Sequence, residues 1–144
     1  MLTNGRLALA ATDEPAMGAG DVLVRVRAVS VNRGELHRLE ARQAGWRPGW
    51  DFAGEVLECG SATGGHTVGD RVFGTVPGGA WAERVAAPAG YLAQLPDTLT
   101  FAQGAAKQGH HDEAGRERRP YSLMAIGVSG RADPCAFRSA GLAP

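Results

Sequence analysis

The sequence predicts a mainly β protein, a barrel or rolled sheet of short strands, and three observations carry that expectation. Residues 22–31 are rich in β-branched side chains and alternate between apolar and polar. Further strand candidates follow at 52–57, 70–76 and 81–87, with Gly- and Pro-rich stretches between them. Short strands at this spacing favour a rolled sheet over alternating β and α units.

In the first candidate strand, Val22, Val24, Val26 and Ala28 fall on one face, with Arg25 and Arg27 on the other. A period of two is the mark of a half-buried strand. Asn32-Arg33-Gly34-Glu35 breaks the alternation, and Leu36 and Leu39 then suggest a short helical turn. The strand at 52–57 is closed by Cys59-Gly60-Ser61 and Gly64-Gly65. Pro77-Gly78-Gly79 joins the last two strands. After Pro96, Thr100-Phe101-Ala102-Gln103 has the T-x-x-Q spacing of a capping box. There a hydroxyl and an amide satisfy the orphan donors of a helix start. A helix therefore begins near Thr100, and Gly104 and Gly109 weaken it.

Past Ala106 the pattern fades. Residues 107–144 have neither sustained helical period nor clean alternation, and their one apolar patch is 123–128. The expected division is a folded domain over 1–106 and an irregular, poorly ordered tail over 107–144 with at most one opportunistic strand.

Size and composition bound the function. A chain of 144 residues with 44% hydrophobic and 21% charged side chains fits one soluble globular domain. No apolar run approaches the roughly 18 residues of a membrane span, and no signal-peptide pattern occurs. The expected address is the cytoplasm, without a membrane partner. Net charge is zero; residues 1–106 hold nine basic and eleven acidic side chains, and 107–144 hold six and four. That balance argues against a nucleic-acid surface. Cys59 and Cys135 make no disulfide framework, and Cys59 reads as a buried, inert thiol closing a strand. In the tail, His110-His111-Asp112-Glu113 and the cluster Arg116, Arg118, Arg119 read as solvated loop; neighbouring side chains diverge too much to share a metal.

Four segments, VLVRVRAVSVNRGELHRL, PGWDFAGEV, VGDRVFG and GGAWAERVAAPAGYLAQLPDTLTFAQGAA, resemble the medium-chain dehydrogenase/reductase family. The resemblance is to its zinc-independent, quinone oxidoreductase-like branch and covers about residues 5–106. It implies a GroES-like, alcohol dehydrogenase-like N-terminal domain, a partly open β-barrel with short helices. It also implies NADPH as hydride source and a small quinone or enone as substrate.

Zinc-dependent members of that family carry a cysteine at the position of Asn32 and a His-Glu pair at those of Trp50 and Asp51. Zinc needs thiolate, imidazole or carboxylate ligands, so no zinc is expected here. By the same resemblance Asn32 is the cofactor-binding residue, beside the nicotinamide ribose. Read from the residues alone, Asn32 ends the strand and caps the next helical turn, and the two roles are compatible. His37 stands where relatives often carry a substrate-facing tyrosine; it is either a donor to the reduced substrate or a surface histidine. Trp50 either walls the substrate pocket or packs in the core. Asp70, Arg71 and Trp81 are expected to be structural, with Arg71 pairing locally. No residue is assigned a certain catalytic role.

Where such enzymes continue into a Rossmann domain with a glycine-rich phosphate turn, residues 107–144 offer only Gly127-Val128-Ser129-Gly130. The expectation is a truncated oxidoreductase, incomplete without its cofactor-binding half, with a frame shift or misjoined gene model after Ala106. The isolated chain would then be nearly inactive. The alternatives are a non-catalytic GroES-like binding or assembly module, and a detached piece of an enoyl-reductase domain from a larger synthase.

Overall fold

A computed structural model describes residues 2, 3, 6–40, 45–106 and 122–127. Its organising element is β3 (Asp21–Asn32), whose buried positions include Val22, Val24, Val26 and Ala28, as the alternation predicts. Ahead of it, β1 (Leu2–Thr3) and β2 (Arg6–Leu7) form a separate antiparallel pair.

Along one edge of β3 runs β4 (Asp51–Cys59). Two register shifts, between Leu23 and Val24 and between Val26 and Ala28, interrupt that pairing. Such bulges bend a strand and raise its twist, which curls the sheet. Along the other edge two strands lie end to end. β6 (Arg84–Pro88) pairs residues 21–25, and β8 (Ser122–Gly127) pairs residues 28–32. Beyond β4 come β5 (Arg71–Thr75) and β7 (Leu92–Gln94), all antiparallel. The order is β6-β3-β4-β5-β7, with β8 added on β3, and β6 does not pair with β7, so the barrel stays open.

Val22, Val24, Val26, Phe52, Val56, Val72 and Val85 fill the core between these strands. Full burial of one such side chain contributes about 1.5–3 kcal/mol. A second patch joins Ala28 and Ala53 to Ala105 of the helix α2 (Phe101–Ala106), whose small side chains let it sit close on the sheet.

The capping box at Thr100 forms as expected: Gln103 N–H donates to Thr100 Oγ1 at 3.2 Å, and Thr100 N–H donates to Gln103 Oε1 at 2.9 Å. Arg71 does not pair locally as expected: it donates to the carbonyls of Pro96 (3.1 Å) and Leu99 (2.6 Å) and to Asp97 (3.2 Å), 25 residues and more along the chain, while lying over the Phe101 ring. Asp70 stays in the preceding turn, where its carboxylate accepts the Thr67 N–H and hydroxyl. Cys59 ends β4, partly buried, with its Sγ against the His66 carbonyl.

Two further expectations need adjustment, and three short strands were not foreseen. The strand expected over 81–87 starts only at Arg84, because Ala80 N–H and Trp81 N–H donate to Gly49 O and Pro48 O. Those bonds tie the segment to the 47–49 loop and not to a neighbouring strand. The helical turn after Asn32 extends to eight residues, α1 (Arg33–Glu40). The two short N-terminal strands and β7 carry too few residues for alternation to reveal them. At the apolar patch, residues Ser122–Gly127 form a strand, β8. The His110–Glu113 tract, the arginine cluster and Cys135 lie outside the described residues. No helix among the described residues is long and apolar enough to cross a membrane.

Candidate functional site

The C-terminal end of β3, the first turn of α1 and the start of β4 meet at one buried polar cluster. Ser30 and Glu35 are fully buried, Asp51 is 3% exposed and Asn32 5%. Polar groups so far from water must be paired among themselves, and they are.

Asn32 and Glu35 form a reciprocal cap. Glu35 N–H donates to Asn32 Oδ1 at 3.1 Å, and Asn32 N–H donates to Glu35 Oε2 at 2.9 Å. An Asn at the cap with an acid three residues on satisfies two orphan donors at once. Glu35 does more than cap: its other oxygen, Oε1, accepts the Trp50 N–H at 2.8 Å, tying α1 to the entry of β4. Asp51 Oδ2 accepts from Ser30 Oγ at 3.2 Å and from Asn32 Nδ2 at 3.4 Å. Trp81 Nε1 donates to the Ser30 carbonyl at 3.0 Å, bringing the 78–81 loop onto the same cluster.

Burial pushes the Glu35 carboxyl above its ordinary value. The Asn32 and Trp50 amides oppose that shift, and the Asp51 charge adds to it.

Trp50 is half-buried, and its indole lies directly over the first turn of α1. A Cβ at Gly34 would come within 2.8 Å of two ring atoms, so only glycine admits the ring there. Gly49 supplies the turn before it, at a φ of 102° that L side chains rarely adopt. The cluster thus brings Asn32 and Trp50 together through Glu35. His37 sits on the exposed side of α1, outside this buried cluster. A shallow depression beside Arg47, Gly79 and Arg84 includes none of the three.

Glu35 and Ser30 were not singled out from the sequence. A signal for Glu35 existed: Asn32-x-x-Glu35 has the same cap spacing as Thr100-x-x-Gln103. Ser30 gave none, since a serine in a strand is equally at home facing solvent.

Tested against zinc, the donor set does not fit. The Asn32 amide is engaged in the cap, Trp50 presents an indole, and Asp51 is the one carboxylate left of the three positions. Among the described residues no three His, Cys, Asp or Glu side chains gather as a metal-binding group. A hydroxyl that both donates and accepts matches the site better: beyond its bonds to Glu35 and Asp51, the Asn32 amide keeps one Nδ2 hydrogen and one Oδ1 lone pair.

An open antiparallel sheet with a capped helix at the end of its long central strand is the GroES-like type of catalytic domain. The alcohol dehydrogenase GroES-like domain matches residues 18–97, more than half of the chain, and the chain belongs to that family, within the medium-chain dehydrogenases/reductases. It is 41% identical over 101 residues to the trans-enoyl reductase caaB of Aspergillus niger, covering 63% of this chain and 28% of that protein. The structure of a quinone oxidoreductase from Pseudomonas syringae pv. tomato DC3000 superposes with a TM-score of 0.61 at 30% identity, over 67% of this chain and 31% of the other. A mycobacterial protein solved in complex with NADPH gives 0.62 at 28% identity, over 69% and 32%. The chain therefore spans less than a third of the length of each of these relatives.

Proposed function

We propose that the chain is the catalytic-domain portion of a zinc-independent, NADPH-dependent reductase of quinones or enones, and that alone it is nearly inactive. One observation carries the reading: Asn32, at the end of β3, keeps part of its amide uncommitted in a site whose other polar groups are held by protein. The reductase relatives and the NADPH complex among them support it.

NADPH, when bound, supplies the hydride. The chain's own residues bind and orient. Asn32 donates to and accepts from a ribose hydroxyl, which sets the distance between the reacting groups. Trp50, pinned over Gly34, walls the substrate side and excludes water. His37, exposed on α1, donates a hydrogen bond or proton to the oxygen of the reduced substrate. Residues 1–106 form the domain, and residues 107–144 are the tail of a shifted or misjoined reading frame. Reading the coding DNA in every frame tests that origin; finding no downstream dinucleotide-binding sequence would undo it. The address proposed is cytoplasmic.

Residues 1–144 contain no glycine-rich turn of the kind that anchors a dinucleotide pyrophosphate. Calorimetric titration of the pure chain with NADPH is expected to show weak binding and no turnover of a simple quinone. Micromolar binding with turnover would overturn the inactivity.

A second reading, a non-catalytic binding or assembly module, is favoured by one specific observation. Residues 122–127 of the tail are paired to the β3 edge beside Asn32, which makes part of the tail a member of the sheet.

A further inference from the structure

The Asn32 amide has two possible orientations that differ by exchanging its oxygen and nitrogen. The cluster selects one. On one side the amide faces the Glu35 N–H, a donor, which demands oxygen. On the other it faces Asp51 Oδ2, an acceptor, which demands nitrogen. A flipped amide would set donor against donor and carbonyl against carboxylate, in a site that is 95% buried or more at Ser30, Asn32, Glu35 and Asp51. An unpaired polar group in such surroundings is strongly disfavoured.

We propose that Asp51 is the positioning residue for Asn32. Together with the first turn of α1 it fixes the amide, so that what a ligand meets is one Nδ2 hydrogen beside one Oδ1 lone pair. The inference rests on the reading of Asn32 as the ribose contact and deepens it. The ligand group this pair suits is a hydroxyl that donates and accepts at once, as a ribose hydroxyl does. Ser30 steadies Asp51 through the 3.2 Å bond to the same oxygen.

The pair can be exchanged, which separates its two tasks. Asn32→Asp keeps a cap oxygen for Glu35 N–H but sets a second carboxylate against Asp51. Asp51→Asn in the same chain restores a donor–acceptor contact with its direction reversed, the amide of residue 51 now donating. In the full chain, Asn32→Asp alone is expected to lower the melting temperature, and the double variant to regain most of the loss. Additive effects of the two substitutions would overturn the role given to Asp51.

Ligand recognition is read separately with reduced nicotinamide mononucleotide, titrated by NMR. The native chain is expected to bind it. The refolded double variant, whose residue 32 has no donor hydrogen, binds about tenfold more weakly, the equivalent of one lost hydrogen bond. Equal binding by both would overturn the ligand-facing half of the proposal. If the native chain does not bind the mononucleotide, the cofactor reading of Asn32 falls, while the stability cycle still decides whether Asp51 holds the amide.

Discussion

Asn32 ends a strand and caps a helix with one short side chain, and Glu35 makes that combination possible. Its carboxylate holds two backbone donors, the N–H groups of buried Asn32 and half-buried Trp50. Glu35→Ala orphans both. It is expected to cost about 1–3 kcal/mol for each donor left unpaired, measured by chemical denaturation.

The same group makes stability depend on pH. Burial raises the folded-state pKa of Glu35 above its ordinary 4.5. The folded chain therefore binds the proton more tightly than the unfolded one. The stability this contributes is fully present below about pH 4.5 and is lost as the pH rises through the folded value. Glu35→Gln cannot titrate. The stability difference between native chain and variant is thus expected to move against the native chain as pH climbs from 4 toward neutral. Parallel curves across that range would contradict a buried, uphill-titrating carboxyl. Asn32 could be read as a strand end and helix cap directly. Glu35 could not be read as buried, because a lone acid after Gly34 looks solvated until Trp50 and Asp51 arrive from residues far along the chain.

At the scale of elements, the 96–101 connection depends on a clamp outside the strands and helices. Arg71 forks to two carbonyls, Pro96 O and Leu99 O, and lies 4.7 Å from the centre of the Phe101 ring, so β5 fixes where α2 begins. Lysine carries the charge but lacks the planar fork and stacks less well. Arg71→Lys is expected to destabilise the chain by about 1–2 kcal/mol, roughly one or two hydrogen bonds, and to speed amide exchange in 101–106. Unchanged exchange there would refute the clamp. The cap at Thr100 was legible because both partners lie within four residues. The clamp was not legible, since its targets lie 25 residues and more from Arg71, where local pairing was expected. The late start of β6 was hidden for the same reason: residues 80 and 81 bond to residues 48 and 49.

For the whole molecule, the question is what closes the second half of the β3 edge. β6 covers 21–25 and β8 covers 28–32, directly beside the site. Met124→Pro and Ala125→Pro each remove one of two consecutive amides in β8, of which one faces β3. One of the two variants is expected to speed amide exchange over 28–32 while leaving 21–25 unchanged. If native exchange at 28–32 is already fast and neither proline alters it, the tail does not belong to the sheet and the module reading loses its support.

By itself the sequence determined a mainly β fold, its longer strands, two capped helix starts and membership of the GroES-like alcohol dehydrogenase family. Those features are set by alternation, short-range caps and motifs, all of which act between residues close in sequence. Only the tertiary structure decided that Ser30, Asn32, Glu35 and Asp51 form one buried cluster and that Trp50 lies on Gly34. It also decided that β8 pairs beside the cluster. Contacts between distant segments depend on strand register and bulges, and burial, which gives a carboxylate or an amide its chemistry, exists only once those segments have met.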